Sequence, residues 1–179
     1  MAIPIIQALW FFVPAYLANM MPVFVQKLPF LNKPVDFGRT LAGKRILGGH
    51  KTWRGLFFGT LAGFLVFELQ RFLFSKGIMT GFALIDYSTA PLFLGALIGF
   101  GALVGDIVKS FFKRRVGVRP GGRWMPFDQI DFIAAALLVS LAWSKITLNN
   151  SLVVLLVVFC GAILFQYLGY WLKLKKELS

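Results

Sequence analysis

The stretch PLFLGALIGFGALVGDIVKSFF (residues 91–112) holds fifteen residues without a charge before its first carboxylate, Asp106. A helix needs about 20 mainly apolar residues to cross a bilayer, so this stretch predicts a membrane-spanning helix with a carboxylate near one end. Four further stretches are similarly apolar, at about residues 3–25, 55–74, 127–143 and 152–172. The predicted fold class is therefore an all-α, polytopic membrane protein in which residues 1–179 form one domain with five transmembrane helices.

The composition agrees with a membrane environment. Hydrophobic residues make up 58% of the chain, charged residues 15%, and the mean hydropathy is +0.76, whereas soluble domains average about 45–50% apolar residues. The net charge is +12, but the cations lie between apolar runs, which favours anionic lipids or phosphorylated substrates over nucleic acid. The lone Cys160 and the lone His50 exclude a disulfide within the chain and any site that needs two histidines.

The distribution of positive charge predicts the orientation in the membrane. Counted with Lys109 near the end of the third stretch, the segments that follow the first, third and fifth apolar stretches carry 16 of the 19 Lys and Arg residues. Cytoplasmic segments retain positive charge, so these segments are expected inside the cell. The N-terminus is then outside, the C-terminus is cytoplasmic, and two basic cytoplasmic loops span residues 26–54 and 113–126. We expect a multi-pass protein of the cell membrane with its site on the cytoplasmic side.

Small residues and prolines predict how the helices pack. Glycines recur every four residues in the second apolar stretch, and the third contains two such pairs (Gly55, Gly59 and Gly63; Gly95 and Gly99; Gly101 and Gly105). Glycines at this spacing let two helix backbones approach closely. Pro14 is expected to bend the first helix.

The first basic loop ends in GKRILGGHKTWRG (residues 43–55), where glycines and cations alternate directly before a helix. Glycine backbone, cationic side chains and a helix N-terminus are what a phosphate chain needs. The spacing is not that of a Walker A motif. The phosphate-binding candidates are Lys44, Gly48, Gly49, His50, Lys51 and Thr52. The alternative is a flexible loop whose charges only fix topology.

Asp106 marks the second candidate region, because a carboxylate within an apolar span is costly and usually functional. Lys109, Ser110 and Lys113 follow at i+3, i+4 and i+7, so the four side chains share one helix face. The alternative is an internal ion pair of Asp106 with Lys109 or Lys113 that only makes burial tolerable.

The segment RRVGVRPGGRWMPFDQID (residues 114–131) ends in two carboxylates, Asp128 and Asp131, on one face of a first helical turn. Helix capping is the alternative explanation for these residues. With Asp106 they form an all-oxygen set without His or Cys, which favours Mg²⁺. The surrounding cations outnumber these carboxylates, which indicates a polyphosphate and an anionic lipid as partners. The pattern predicts phosphoryl or nucleotidyl transfer at the membrane surface.

These motifs resemble those of the phosphatidate cytidylyltransferases, also called CDP-diacylglycerol synthases. The signature begins at Asp106 and continues with Lys109-Ser110 and Lys113-Arg114. A turn at Gly121-Gly122 follows, and the carboxylate pair Asp128 and Asp131 ends the signature. The glycine–cation loop and the chain length look most like the archaeal counterparts, the CDP-archaeol synthases. The larger enzymes have His-Gly-Gly before their Asp pair, whereas Pro120 precedes the two glycines here.

The resemblance implies a transferase of phospholipid biosynthesis that makes CDP-archaeol and pyrophosphate from CTP and 2,3-bis-O-(geranylgeranyl)-sn-glycerol 1-phosphate. It implies that Asp106, Asp128 and Asp131 hold Mg²⁺, that Lys113 and Arg114 share the catalytic work, and that Lys44 with residues 48–52 binds CTP. The cations and hydroxyl expected to serve the lipid phosphate or pyrophosphate are Arg54, Lys109, Ser110 and Arg119.

Two other function classes fit the residues alone. Another CTP- or ATP-dependent lipid phosphotransferase, such as a lipid kinase, would use the same charges. A transporter for a phosphorylated solute is the alternative outside the enzymes, although such transporters usually carry internal repeats and charged residues at mid-bilayer. Membrane lipids and an isoprenoid ether-lipid phosphate are the expected partners, and the oligomeric state stays open.

Overall fold

The computed structural model describes residues 5–118, 122, 124–125, 127–141, 155–156 and 159. The predicted fifth span (152–172) and the C-terminal tail lie almost wholly outside the described residues. Five helices are present in the described part of the chain, with a short 3₁₀ turn at Thr80–Phe82. The helices are α1 (Ile5–Phe11), α2 (Val13–Phe24), α3 (Trp53–Ser75), α4 (Leu94–Arg115) and α5 (Phe127–Ser140).

Length and composition identify the helices that suit a membrane. Among the described residues, α3 and α4 are long and apolar enough to cross a bilayer, and the bent pair α1–α2 qualifies as a third span. The apolar part of α5, Ile130–Val139, is shorter. The predicted helices at residues 55–74 and 91–112 are confirmed, with one correction. Helix α4 continues to Arg115, so residues 113–115 form its last turn rather than the start of a loop.

The bend between α1 and α2 has a cause that can be traced to Pro14. The two helices meet at 46°. Pro14 has no backbone N–H, so it cannot donate to the Trp10 carbonyl four residues earlier. The buried Gln70 of α3, 2% exposed, donates from Nε2 to that carbonyl at 2.6 Å instead. A side chain from the neighbouring helix thus satisfies the group that proline leaves without a donor, and the predicted bend is confirmed.

Glycines set the distances between helices, as the sequence predicts. A Cβ added at Gly59 would lie 2.7 Å from the Ala18 carbonyl oxygen of α2, and one added at Gly63 would lie 2.7 Å from the Gly95 carbonyl oxygen of α4. Contacts this short exclude any side chain without backbone movement. Helices α2, α3 and α4 therefore pack at backbone distance.

Gly105 does the same between α4 and α5, next to the candidate site. A Cβ at this position would lie 2.5 Å from the Asp131 carbonyl oxygen and 2.7 Å from the Ala135 Cβ. The absence of a side chain lets the first turns of α5 approach the basic end of α4. Asp131 is thereby placed close to the charged face of α4.

The first basic loop contains a small β-hairpin, which corrects the all-α prediction. Strands β1 (Thr40–Leu41) and β2 (Lys44–Arg45) pair antiparallel. Ala42 and Gly43 both have positive φ, +50° and +73°, as a two-residue hairpin turn requires. An isolated bridge between Pro34 and Thr52 closes the loop on itself. The loop is therefore a folded unit seated at the start of α3.

Candidate active site

Three carboxylates converge on one ammonium group at the basic end of the helices. Lys109 Nζ lies 2.9 Å from Asp106 Oδ1, 3.2 Å from Asp128 Oδ1 and 2.9 Å from Asp131 Oδ2. The Lys109 side chain is only 13% exposed. The predicted convergence of these carboxylates is confirmed, and it joins α4 to the first turn of α5.

Two further lysines complete the charge balance. Lys51 of the first basic loop pairs with Asp106 Oδ2, and Lys113 Nζ lies 3.0 Å from both carboxylate oxygens of Asp128. Three carboxylates therefore face three ammonium groups. The ion pair of Asp106 with Lys109, weighed above as an alternative to a functional role, is present, while Lys113 pairs with Asp128 instead.

The carboxylate set fits a hard cation in its chemistry. Both carboxylate oxygens of Asp131 are buried, and within the described part of the chain Oδ2 has the Lys109 ammonium at 2.9 Å as its ion-pair partner, so Oδ1 retains unused lone pairs. All three residues offer only oxygen ligands, which Mg²⁺ prefers. In this arrangement no group of three or more His, Cys, Asp or Glu among the described residues is placed to hold a metal ion. The Lys109 ammonium lies between the three carboxylates instead and supplies positive charge there.

A large cavity opens beside this cluster. Its volume is 640 Å³, within the range of about 300–1,000 Å³ usual for ligand pockets. Six lysines and arginines line it, against one carboxylate, Asp106. The basic residues are Lys44, Arg45, Lys51, Lys109, Lys113 and Arg114. Such an excess of positive charge suits a polyphosphate.

A second cavity of 520 Å³ lies on the α2 side of the same loop. Its lining is polar with a single arginine, Arg54, and also includes Val23, a residue of α2 that is 65% exposed. The uncharged polar side chains are Asn19, Gln26, Asn32 and Thr52. His50, Lys51 and Asp106 line both cavities, so the Lys51–Asp106 ion pair forms part of the wall between them.

The predicted phosphate-binding residues of the first basic loop divide into three groups. Lys44, Gly49, His50 and Lys51 line the large cavity. Gly48 also lines it, but its amide nitrogen lies 3.4 Å from a carboxylate oxygen of Asp36. Thr52 lines the second cavity but not the large one. It caps α3, because its Oγ1 accepts a hydrogen bond from the Gly55 amide at 3.2 Å.

The remaining predicted residues are placed as follows. Ser110 lines the large cavity and donates to the Asp106 carbonyl at 2.8 Å, and Arg114 lines the same cavity. Arg54 is buried in the second cavity, where it donates to the Leu28 carbonyl. Arg119 lies outside the described residues.

Two residues that matter for the site were missed by the sequence reasoning. Arg115, at the end of α4, donates to the carbonyls of Leu41 (2.6 Å) and Arg45 (2.7 Å) and so fastens the hairpin to α4. Asp36 accepts hydrogen bonds from the same loop and is almost fully buried. Asp36 stands out in the sequence as the lone carboxylate of a strongly basic loop, a signal that the reasoning did not use.

Comparisons with known proteins agree on one family. A family model described as CarS-like CDP-archaeol synthase matches residues 1–178. The chain belongs to the CDP-archaeol synthase family. The CDP-archaeol synthase of Methanospirillum hungatei is 36% identical over 172 residues, covering 91% of this chain and 97% of the relative. That of Methanosarcina mazei is 37% identical over 183 residues, covering 92% and 98%. The predicted family resemblance is confirmed.

A solved structure extends the similarity to three dimensions. It is an intramembrane enzyme for archaeal membrane lipid biosynthesis, matched with a TM-score of 0.72 at 31% identity over 92% of this chain and 95% of the other. This chain therefore shares the fold of an intramembrane enzyme and is helical, as predicted here. The number of spans and the orientation in the membrane stay predictions.

Proposed function

We propose that this chain transfers CMP from CTP to the phosphate of 2,3-bis-O-(geranylgeranyl)-sn-glycerol 1-phosphate, giving CDP-archaeol and pyrophosphate. The observation that carries the proposal is the pair of cavities that meet at Lys51 and Asp106 in a member of the CDP-archaeol synthase family. Two separate polar cavities with one shared wall suit a reaction that joins two phosphorylated substrates. Family membership also favours this reaction over the transporter and the lipid kinase.

The chemistry needs positioning and charge neutralisation more than an activated side chain. An oxygen of the lipid phosphate attacks the α-phosphorus of CTP, a new P–O bond forms, and the bond between the α-phosphorus and its bridging oxygen to the β-phosphate breaks. Pyrophosphate leaves with the electron pair of that bond. Both reactants are anions, so the main barrier that the protein can lower is their repulsion.

The large cavity is the proposed CTP site. Lys44, Lys113 and Arg114 surround it, and Lys51 lies at the wall shared with the second cavity. These cations are placed to neutralise a triphosphate and then the departing pyrophosphate. His50 and the neighbouring glycines shape the side formed by the first basic loop.

The second cavity is the proposed lipid-phosphate site. Arg54 and Lys51 supply its cations, while Asn19, Gln26 and Asn32 supply neutral hydrogen-bond partners. Its lining includes the highly exposed Val23 of α2, which connects it to the helix face that lipid would cover. A phosphate attached to isoprenoid chains can reach this cavity from the bilayer while CTP approaches from water.

Asp106, Asp128 and Asp131 are the residues that would hold Mg²⁺. When bound, the ion would supply electrostatic stabilisation of charge on the reacting phosphates. Within the protein itself, Lys109 keeps these carboxylates together, and the bonds from Lys51 and Lys113 orient two of them. Because CTP is a cytoplasmic nucleotide, the site belongs on the cytoplasmic side of the cell membrane, in agreement with the predicted topology.

The first experiment measures pyrophosphate release by the detergent-purified protein with CTP, Mg²⁺ and 2,3-bis-O-(geranylgeranyl)-sn-glycerol 1-phosphate. We expect pyrophosphate release that requires both the lipid and CTP and that ATP does not support. The release rate should fall at least about 100-fold in Asp128→Asn, as for loss of a group that stabilises transition-state charge. Folding of the variant is checked by its thermal midpoint. Lipid-independent release, or none with a folded wild type, would contradict the proposed reaction.

A second experiment tests how the cavities are divided between the substrates. Lys44→Gln should raise KM for CTP and leave KM for the lipid unchanged, because Lys44 lines only the large cavity. Gln26→Glu should do the opposite, because its new charge would repel the lipid phosphate in the second cavity. Equal effects of either variant on both KM values would contradict the division.

A further inference from the structure

Asp36 is a buried carboxylate that touches neither cavity. Its side chain is 1% exposed. Oδ1 accepts from the Gly38 amide at 2.9 Å and from Arg45 Nη2 at 3.0 Å, and Oδ2 accepts from the Leu47 amide at 3.0 Å. The Gly48 amide lies 3.4 Å from Oδ2. All these donors belong to the first basic loop, so one carboxylate holds together residues 36–48.

The residue that precedes Asp36 also fixes the part of the loop that lines the cavities. The amide of Val35, next to Asp36, donates to the Lys51 carbonyl at 2.7 Å. Gly48 has φ +107°, a conformation that side-chain-bearing residues rarely adopt. Residues 47–51 are therefore tied at both ends, by the Asp36 carboxylate and by the Val35 amide. His50 lies between the anchored residues Leu47 and Lys51, and Lys51 is followed by Thr52, the N-cap of α3.

We propose that Asp36 is a positioning residue for CTP, which sets the conformation of residues 47–51 without contacting the nucleotide. The inference rests on the function proposed above for the large cavity. A carboxylate facing a triphosphate would repel it, but this one is turned into the loop and neutralised by Arg45, so it orders the wall of an anion site at little electrostatic cost.

The charge state of Asp36 supports this role. Burial opposes ionisation, but the hydrogen bonds from the Leu47 and Gly38 amides and from Arg45 outweigh it and lower the pKa of the carboxyl below its usual range. The carboxylate is thus charged at any pH at which the protein works. The hydrogen bonds from the three amides and from Arg45 to this carboxylate are therefore kept over that pH range.

The role is separable from overall stability. The hydrophobic core consists of side chains from α1 to α5 and the loop after α3, and among the described residues it includes none from 26–54. Loss of Asp36 should therefore disorder the loop while the helices stay packed. A residue needed only for folding would lower the thermal midpoint instead.

The test compares CTP binding by the full-length detergent-purified wild type, Asp36→Asn and Asp36→Ala, measured by equilibrium binding without lipid. We expect the Kd for CTP to rise at least about tenfold in Asp36→Ala, equivalent to about 1.4 kcal/mol, and less in Asp36→Asn, which keeps one acceptor oxygen. The thermal midpoint should stay unchanged, because the described hydrophobic core holds no residue of this loop, and the KM for lipid should change by less than the Kd for CTP, because residues 49–51 line only part of the second cavity. Asp86→Asn is the matched control, since Asp86 accepts from the Ser88 amide in the loop at the opposite end of the helices.

Unchanged CTP affinity in both Asp36 variants would overturn the inference, as would parallel losses of CTP affinity and thermal midpoint. If Asp36→Ala does not fold, Asp36→Asn still decides between these outcomes. A wild type that binds CTP but forms no CDP-lipid would contradict the proposed function alone. A wild type that binds no CTP would overturn both.

Discussion

Replacing Lys109 by methionine tests how the three carboxylates are held together. Methionine nearly preserves the length and apolar surface of the lysine side chain and removes its charge. Lys51 and Lys113 would still compensate Asp106 and Asp128. Asp131, 8% exposed, would lose the single cation that lies within salt-bridge distance of it among the described residues. The variant thus leaves one buried carboxylate uncompensated.

The size of the effect follows from that uncompensated charge. An ion pair at 2.9 Å has a gross attraction of about 6 kcal/mol at an effective dielectric constant of about 20. Desolvation offsets part of this attraction, and breaking a buried pair by removing one partner costs about 3–5 kcal/mol. For a chain of this length, at about 2–4 °C per kcal/mol, the thermal midpoint should fall by at least about 6 °C.

The assay is thermal unfolding in detergent, with and without millimolar Mg²⁺ or Mn²⁺. A divalent cation should restore part of the midpoint in Lys109→Met, because it replaces the missing positive charge, and Asp131→Asn in the same chain should restore stability without metal. Lys76→Met, an exposed cation over the Phe72 ring at the far end of α3, is the matched control. A fall of less than about 2 °C that neither metal nor Asp131→Asn alters would refute the reasoning, given the 3–5 kcal/mol expected for a broken buried pair.

Three further predictions address packing and pH. Gly105→Ala should force α5 away from α4, because the added Cβ would meet the Asp131 carbonyl, and it should cost about 1–3 kcal/mol in stability and reduce kcat. Gly81→Ala, a change in open space, should alter neither quantity. A kcat of Gly105→Ala equal to that of the wild type would contradict this prediction. Gln70→Leu should cost about 1–3 kcal/mol, because the Trp10 carbonyl loses its donor, and a midpoint equal to that of the wild type would show that this bond is dispensable. Burial raises the pKa of Tyr87, so folding favours its neutral hydroxyl. The resulting contribution to the free energy of unfolding is complete below the ordinary tyrosine pKa of about 10 and is lost as pH rises above it. Tyr87→Phe should therefore lose less stability than the wild type between pH 9 and pH 11 in thermal melts, and identical losses would contradict the assignment.

Much of the helical scaffold was accessible from the sequence, because its signals are local and periodic. An apolar run of the right length predicts α3 and α4 whatever they pack against, and a proline without an N–H bends α1–α2 wherever the chain lies. Helical spacing likewise places Asp106, Lys109 and Lys113 on one face before any partner is known.

The contacts within the site could not be predicted in the same way, because they depend on which distant segments meet. Spacing within α4 does not reveal that Lys109 also contacts Asp128 and Asp131, since that requires α5 to approach at Gly105. Nor does it reveal that Asp36 accepts hydrogen bonds from residues nine to twelve positions later, which requires the loop to fold back on itself. The glycine–cation pattern was interpreted as a phosphate cradle, yet the Gly48 amide faces Asp36.

The sequence alone determined that this is a helical membrane protein with convergent carboxylates, a cationic glycine loop and the motifs of a cytidylyltransferase family. Those properties follow from apolar length, residue chemistry and helical periodicity, each set by neighbours along the chain. The tertiary structure decided which cation serves which carboxylate, and where two cavities share a wall at Lys51 and Asp106. Charges are paired by distance in space, and that distance is fixed only when the helices and the first basic loop pack together.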